Sequence, residues 1–188
     1  MNPAPARQHG GDKRPAVLGL QDQHKEARDQ LSLVLSFFSR VDAKASALLA
    51  IDTGMLALLT SKAPPLTTML VLSYALAGVT AAMLGGSLWF LYRVAFPSLD
   101  GGHQSLIYFR EIARRTETNF IDAFRAEEEE SRVKDLLGQV WRNSCILTAK
   151  FDALKWAFIL MALAIIPWGA TVALFSSQSP SIQTVIAK

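Results

Sequence analysis

RVDAKASALLAIDTGMLALLTS, running from Arg40 to Ser61, carries three charged residues in its first five positions. It then turns apolar and holds one carboxylate, Asp52, at its middle. A helix through this stretch places Asp52 near the centre of a bilayer, where an isolated Asp costs roughly 2.5–3.5 kcal/mol. Either the stretch is not a membrane span, or Asp52 faces something polar inside a helix bundle.

Working back towards the N-terminus, Leu31, Val34, Phe37, Phe38 and Val41 fall at three- and four-residue spacings. Lys25, Glu26, Arg28 and Asp29 occupy the more polar half of the same segment. Ala45, Leu48 and Asp52 continue the apolar stripe. Seven residues make nearly two turns, so Ala45 and Asp52 lie almost above one another. Asp52 is therefore expected to face the bundle and not lipid.

No Pro or Gly interrupts Gln21 to Thr53. One helix of roughly 40 residues, about 60 Å long, is expected. Its residues 21–42 lie in the cytosol and 43–61 form the first span. Pro64 and Pro65 end it. Residues 1–20, with Pro, Gly and scattered cations, read as a disordered tail and not as a secretory signal.

Residues 66–92 contain no charge and are long enough for a second span. Gly78, Ala82 and Gly86, with Ala77, Ala81 and Gly85, predict a face that another helix approaches closely. Trp89, Tyr92 and Arg93 mark an interface. Residues 103–151 read as a small cytosolic helical module. Within it, Ser105–Arg115 is expected to be a short helix with Leu106, Phe109, Ile112 and Ala113 inward. The run TETN, Thr116 to Asn119, supplies capping side chains for the next helix. The stripe Val133, Leu136, Leu137, Val140, Leu147 and Phe151 leads into residues 156–175, an uncharged run matched to a third span. Pro167 and Gly169 predict a kink or local unwinding there. Residues 176–188 read as an extracytoplasmic tail.

The cations set the topology. Lys and Arg number seven in Met1–Lys44, one in the loop holding Lys62, ten in Arg93–Lys155 and one at the C-terminus. The positive-inside rule puts the N-terminus and the middle segment in the cytoplasm and the C-terminus outside. The fold class is thus an all-α membrane protein: long helices forming three transmembrane spans with a small cytosolic helical module.

Soluble-enzyme signatures are missing: no phosphate loop, no dinucleotide fingerprint and no nucleophile elbow. His9, His24 and His103 are scattered and Cys145 has no partner at ligand spacing. No catalytic residue, metal or resident cofactor is expected, and no nucleic-acid partner. Three groups of side chains remain. Asp52 belongs either to a gate or ion path, or to a structural hydrogen bond with a neighbouring helix. Asp42 and Lys44 sit where the helix enters the membrane; at that spacing they do not share a face. Tyr108, Phe109, Arg110, Arg114 and Arg115 combine rings with cations, and Trp141, Arg142 and Asn143 form a second polar-aromatic cluster. Such a set stacks a base and pairs a phosphate; the same residues also describe an amphipathic helix with solvated arginines. The run Glu127–Glu130 reads as a solvated helix start.

The segments VDAKASALLAIDTGMLALL, SLIYFREIA and DLLGQVWRNSCILTAKF occur in that order. They resemble the transmembrane effectors of Pycsar, the pyrimidine cyclase system for antiphage resistance. The residues that carry the resemblance are Asp42, Lys44 and Ala45, then Tyr108, Phe109, Ile112 and Ala113, then Gln139, Lys150 and Phe151. It covers roughly residues 30–175. The resemblance implies a homo-oligomeric effector of the cell inner membrane that answers cyclic UMP or cyclic CMP made by a companion cyclase. The response it implies is loss of inner-membrane integrity and abortive infection. A constitutive oligomeric membrane scaffold and a small ion channel are the alternatives that the residues leave open.

Overall fold

The computed structural model describes residues 19–65, 71–96 and 101–178. The expected tail up to residue 18, residues 66–70 of the second span, the turn at 97–100 and residues 179–188 lie outside the described residues. The described chain is helical and holds no strand. The helices are α1 (Leu20–Lys62), α2 (Val71–Ala95), α3 (Phe109–Ala113), α4 (Glu117–Ala126) and α5 (Glu129–Gln178). α1, α2 and α5 are each long and apolar enough to cross a membrane.

α1 is the single uninterrupted helix that the lack of breakers predicts. It ends before Ala63, Pro64 and Pro65, where the backbone turns extended. With 43 residues it measures about 65 Å, and α5, with 50, about 75 Å. Each is more than twice the ~30 Å of hydrocarbon it would need to cross. Both helices therefore run without a joint from a charged half into an apolar half.

Spacing explains how they pack. On α1, Val41, Leu48 and Met55 alternate with Ala45, Asp52 and Leu59, and all six are buried or partly buried. On α2, Ser73, Thr80, Ser87 and Val94 recur every seven residues, with Leu84 and Leu91 between, and all are buried. On α5, Leu154, Ala157, Met161, Ala164, Thr171 and Phe175 keep the same rhythm. A strict alternation of four and three averages 3.5 residues, the spacing of helices that wrap left-handed around one another. α5 is the shared partner of α1 and α2. The resulting core joins Val41, Leu48, Leu84, Leu91, Ala157 and Met161 across the three helices. A smaller cluster of Ala27, Leu31, Leu136 and Val140 holds the charged halves of α1 and α5 together.

Three local expectations change. The small-residue face of α2 is not, as a whole, its packed face: an added Cβ at Gly78 or Gly85 meets open space, while Gly86 is close-packed against Leu160. The α2 seam runs instead through Ser73, Thr80 and Ser87. The helix expected over Ser105–Arg115 is helical only from Phe109 to Ala113, because the Ser105 hydroxyl accepts from the Ile107 and Tyr108 amides and offers the backbone a turn. Phe109 stands outward, 62% exposed, and Ala113 is exposed too. Finally, α5 stays helical through Pro167, with no local unwinding. Thr171 donates to the Pro167 carbonyl (2.7 Å), and Trp168 Nε1 donates across to the Met55 carbonyl on α1 (2.9 Å), which ties this turn of α5 to α1.

Candidate functional site

Asp52 is fully buried where the three long helices meet. Ser87 Oγ on α2 lies 2.6 Å from Asp52 Oδ2 and 3.0 Å from the Ala157 carbonyl on α5. One hydroxyl thus faces an oxygen from each of the other two helices. Asp52 Oδ1 has no hydrogen-bond partner among the described residues. Polar atoms left so deep are costly, and in membrane helices they mark function more often than chance. Their near neighbours Leu48, Met55, Leu84, Leu91, Ala157 and Met161 are apolar, so Asp52, knotted to Ser87, is a carboxylate set in an apolar core.

Where α1 passes from charged to apolar residues, Asp42 and Lys44 diverge, as their spacing requires. Asp42 Oδ1 accepts from Lys150 Nζ on α5 at 2.8 Å. The Lys150 side chain is only 7% exposed, that of Asp42 is 55% exposed, and the ammonium lies 5.5 Å from the Phe38 ring centre. A buried lysine is tolerable there because a carboxylate and an aromatic face both meet it. Lys44 instead lines a groove between α1 and α5 together with Lys155.

In the module, Ser105 and Gln139 are buried and organise a second polar knot. Ser105 Oγ donates to Asp135 Oδ2 (2.8 Å) and accepts from Gln139 Nε2 (3.0 Å). Asp135 Oδ2 also accepts the Leu106 amide (3.0 Å), and the Arg142 guanidinium approaches its other oxygen at 3.9 Å. The chain before α3 is thereby pinned to α5. Gly101 packs tightly beside it, since a Cβ there would overlap the Tyr108 ring, whereas one at Gly102 would displace the end of the Arg142 side chain.

Of the residues expected to hold a base and a phosphate, Tyr108 bonds through its amide to Ser105 of this knot and Asn143 to the Gln139 backbone, while Trp141, two residues after Gln139, falls on another side of α5. Tyr108 and Phe109 meet edge-on, with ring centres 5.1 Å apart. Arg110 is exposed, and Arg114 pairs with Glu111 at 2.5 Å. Trp141 is 69% exposed on α5. Asn143 donates to the Gln139 carbonyl of its own helix at 2.8 Å. Glu111 also accepts the amide of Gln104, the residue with positive φ in this loop (63°). That amide, helped by Arg114, holds the Glu111 carboxyl below its ordinary range. Burial, with Asp135 nearby, pushes Glu127 up, and Arg132 opposes the shift.

Thr116 caps α4 through its hydroxyl, which accepts the Asn119 amide at 3.3 Å, as the TETN run predicts. Reading residue types alone misses Ser87, Ser105 and Asp135; it groups Arg142 with Trp141 and Asn143 but does not give its neighbour Asp135. A signal exists for Ser87: it stands seven residues after Thr80 and fourteen after Ser73. Gln139 and Lys150 are visible only through the resemblance, which does not give their partners.

Comparison with curated proteins and with solved structures returns no match. A family model of the Pycsar effector protein domain, PycTM, matches residues 26–177. That range takes in the module with Ser105, Asp135 and Gln139, the entry pair Asp42–Lys150 and the knot at Asp52. Matched through both halves, the chain belongs to the Pycsar effector family.

Proposed function

We propose that this protein is an inner-membrane effector that responds to cyclic UMP or cyclic CMP from a companion cyclase and impairs membrane integrity, stopping the infected cell. The observation that supports this most directly is the family match across both halves of α1 and α5, which run without a break from module to membrane core. Any ligand that shifts the module acts on the same rigid helices that carry Asp52 and the Ala157 carbonyl. The cation distribution supports a cytoplasmic module and N-terminus, with an extracytoplasmic C-terminus.

In this reading the nucleotide binds between the charged half of α1 and the module. Phe109 or Trp141 stacks on the base, with Tyr108 beside it, and Arg110 or Arg114 pairs with the phosphate. Asn143 supplies a polar contact. Binding favours an oligomer or tilted state in which Asp52 lines a leak. Moving such an equilibrium from one-sided closed to one-sided open takes about 5.5 kcal/mol of differential affinity. That sum is within reach of several charge-assisted contacts made only in the open state.

Calorimetry of the purified full chain with cyclic UMP and cyclic CMP tests the ligand. Heat with one nucleotide is expected; no heat with either removes the assignment. Depolarisation of cells that carry the effector and its cyclase tests the response. Asp52→Asn is expected to abolish depolarisation, and unchanged depolarisation takes Asp52 out of the path. Toxicity independent of the nucleotide favours the scaffold or a simple pore.

A further inference from the structure

Two grooves flank α1 where it enters the apolar half, and they differ in charge. One, of about 490 Å³, lies against α2; its lysine, Lys150, is already neutralised by Asp42. The other, of about 640 Å³, lies against α5 and is lined by apolar side chains except at its mouth. Buried Leu48 and Leu154 form its floor, and exposed Ile51 and Phe158 its walls. Lys44 and Lys155 stand at the mouth, and neither has a carboxylate within ion-pair distance among the described residues.

We propose that this α1–α5 groove binds an anionic phospholipid, its phosphate between Lys44 and Lys155 and an acyl chain along Leu48 and Leu154. Position argues for a lipid. Lys155 immediately precedes the uncharged run of α5, and Lys44 is the last cation of α1 before the apolar stretch. The two ammonium groups therefore sit at headgroup level while the groove runs on into the hydrocarbon. A basic mouth over an apolar cleft between membrane helices is complementary to an acidic headgroup with its chain. The volume suits a bound chain, within the ~300–1,000 Å³ of ordinary ligand pockets. A free nucleotide would set its phosphate between the same lysines but leave its ribose and the polar edges of its base against Ile51 and Phe158, where no polar group answers them.

The groove is also the seam between the two helices that join module to core. A lipid seated there contacts α1 one turn from Asp52 and α5 one turn from Ala157. This inference goes beyond the nucleotide reading and does not depend on it.

Native mass spectrometry of the full-length protein, released from mixed phosphatidylglycerol and phosphatidylethanolamine, tests it. One retained phosphatidylglycerol is expected, preferred over phosphatidylethanolamine by about tenfold, the scale of two interfacial cations. Lys44→Gln with Lys155→Gln should remove that preference. Arg93→Gln, which deletes an exposed cation at the same membrane level on α2, should leave it. Ala47→Phe fills the groove with both lysines intact and should also remove the bound lipid. Equal retention of both lipids, an equal loss with Arg93→Gln, or a lipid that survives Ala47→Phe overturns the proposal. A dimer lost with Ala47→Phe in place of a lipid adduct assigns the groove to a second copy and overturns it too.

Discussion

Ser87 in the apolar half and Ser105 in the charged half each set a hydroxyl against a carboxylate and against α5: Ser87 reaches Asp52 on α1 and the Ala157 carbonyl on α5, while Ser105 reaches Asp135 and Gln139, both on α5. Their surroundings differ. Asp135 accepts the Ser105 hydroxyl and the Leu106 amide and has Arg142 close by, while Ser105 also takes Gln139. Among the described residues, Asp52 has Ser87 alone, and one of its oxygens has no partner. The module carboxylate is held redundantly, by a hydroxyl, an amide and a guanidinium, and the membrane carboxylate by one hydroxyl. Redundancy makes a support, whereas a single contact between three helices is what a small displacement can undo. That contrast supports the proposed role of Asp52, and not Asp135, as the responsive element.

The sharpest way to break the comparison is to remove the two hydroxyls in turn. Ser87→Ala takes from Asp52 its hydroxyl donor and is expected to destabilise by about 2–3 kcal/mol, the cost of orphaning a buried polar group that is strongly bonded. Ser105→Ala leaves Asp135 with the Leu106 amide and Arg142 but takes the acceptor from the neutral Gln139 side-chain amide, and is expected to cost less, about 1–2 kcal/mol. Thermal unfolding of the two variants in one detergent measures the difference. Equal losses would mean that the membrane knot is no more fragile than the other.

The entry pair gives a smaller effect and a predicted asymmetry. Asp42→Asn strands an ammonium whose side chain is 7% exposed, while Lys150→Met frees a carboxylate already 55% exposed. The first is expected to cost about 2 kcal/mol and the second under about 1, because only the buried ion loses its solvation. If Lys150→Met proves the more damaging, apolar packing of the lysine stem carries the contact and the charge does not.

Much of this is legible in the sequence, and the exceptions have physical causes. The extent of α1 follows from the absence of breakers, and the burial of Asp52 from its place on the Val41–Ala45–Leu48 stripe. Its partner is not legible. Ser73, Thr80, Ser87 and Thr171 all occupy packed positions, and only the vertical register of α2 against α1 selects Ser87. The pairing of Asp42 with Lys150, 108 residues apart, is likewise a matter of register between helices. Periodicity turns Phe109 inward because it assumes a helix long enough to have an inside; α3 has one turn and no packed face. Unwinding at Pro167 is a reasonable expectation for an isolated helix. Here α5 stays helical, and Trp168, next to Pro167, ties that turn to the Met55 carbonyl of α1.

The smallest predicted effect lies on the module loop and turns on pH. Glu111 is held below its ordinary value of 4.5, first by the Gln104 amide and then by Arg114. Its folded value is lower than its unfolded one, so its contribution to stability is fully present above about 4.5 and fades as pH falls through the folded value. Protonation weakens the bond that holds Gln104 in its left-handed conformation, where a non-glycine residue is strained. Amide exchange at Gln104, corrected for the intrinsic pH dependence, should therefore speed up on acidification, while exchange in the α1–α5 cluster around Leu31 and Leu136 should not. Glu111→Gln should show the faster exchange at neutral pH already and lose its pH dependence. The loop is exposed and the charges are screened, so the change should stay local and leave global unfolding nearly unmoved. A global shift of the same size would show that this loop, and not the heptad seam, holds the module to α5.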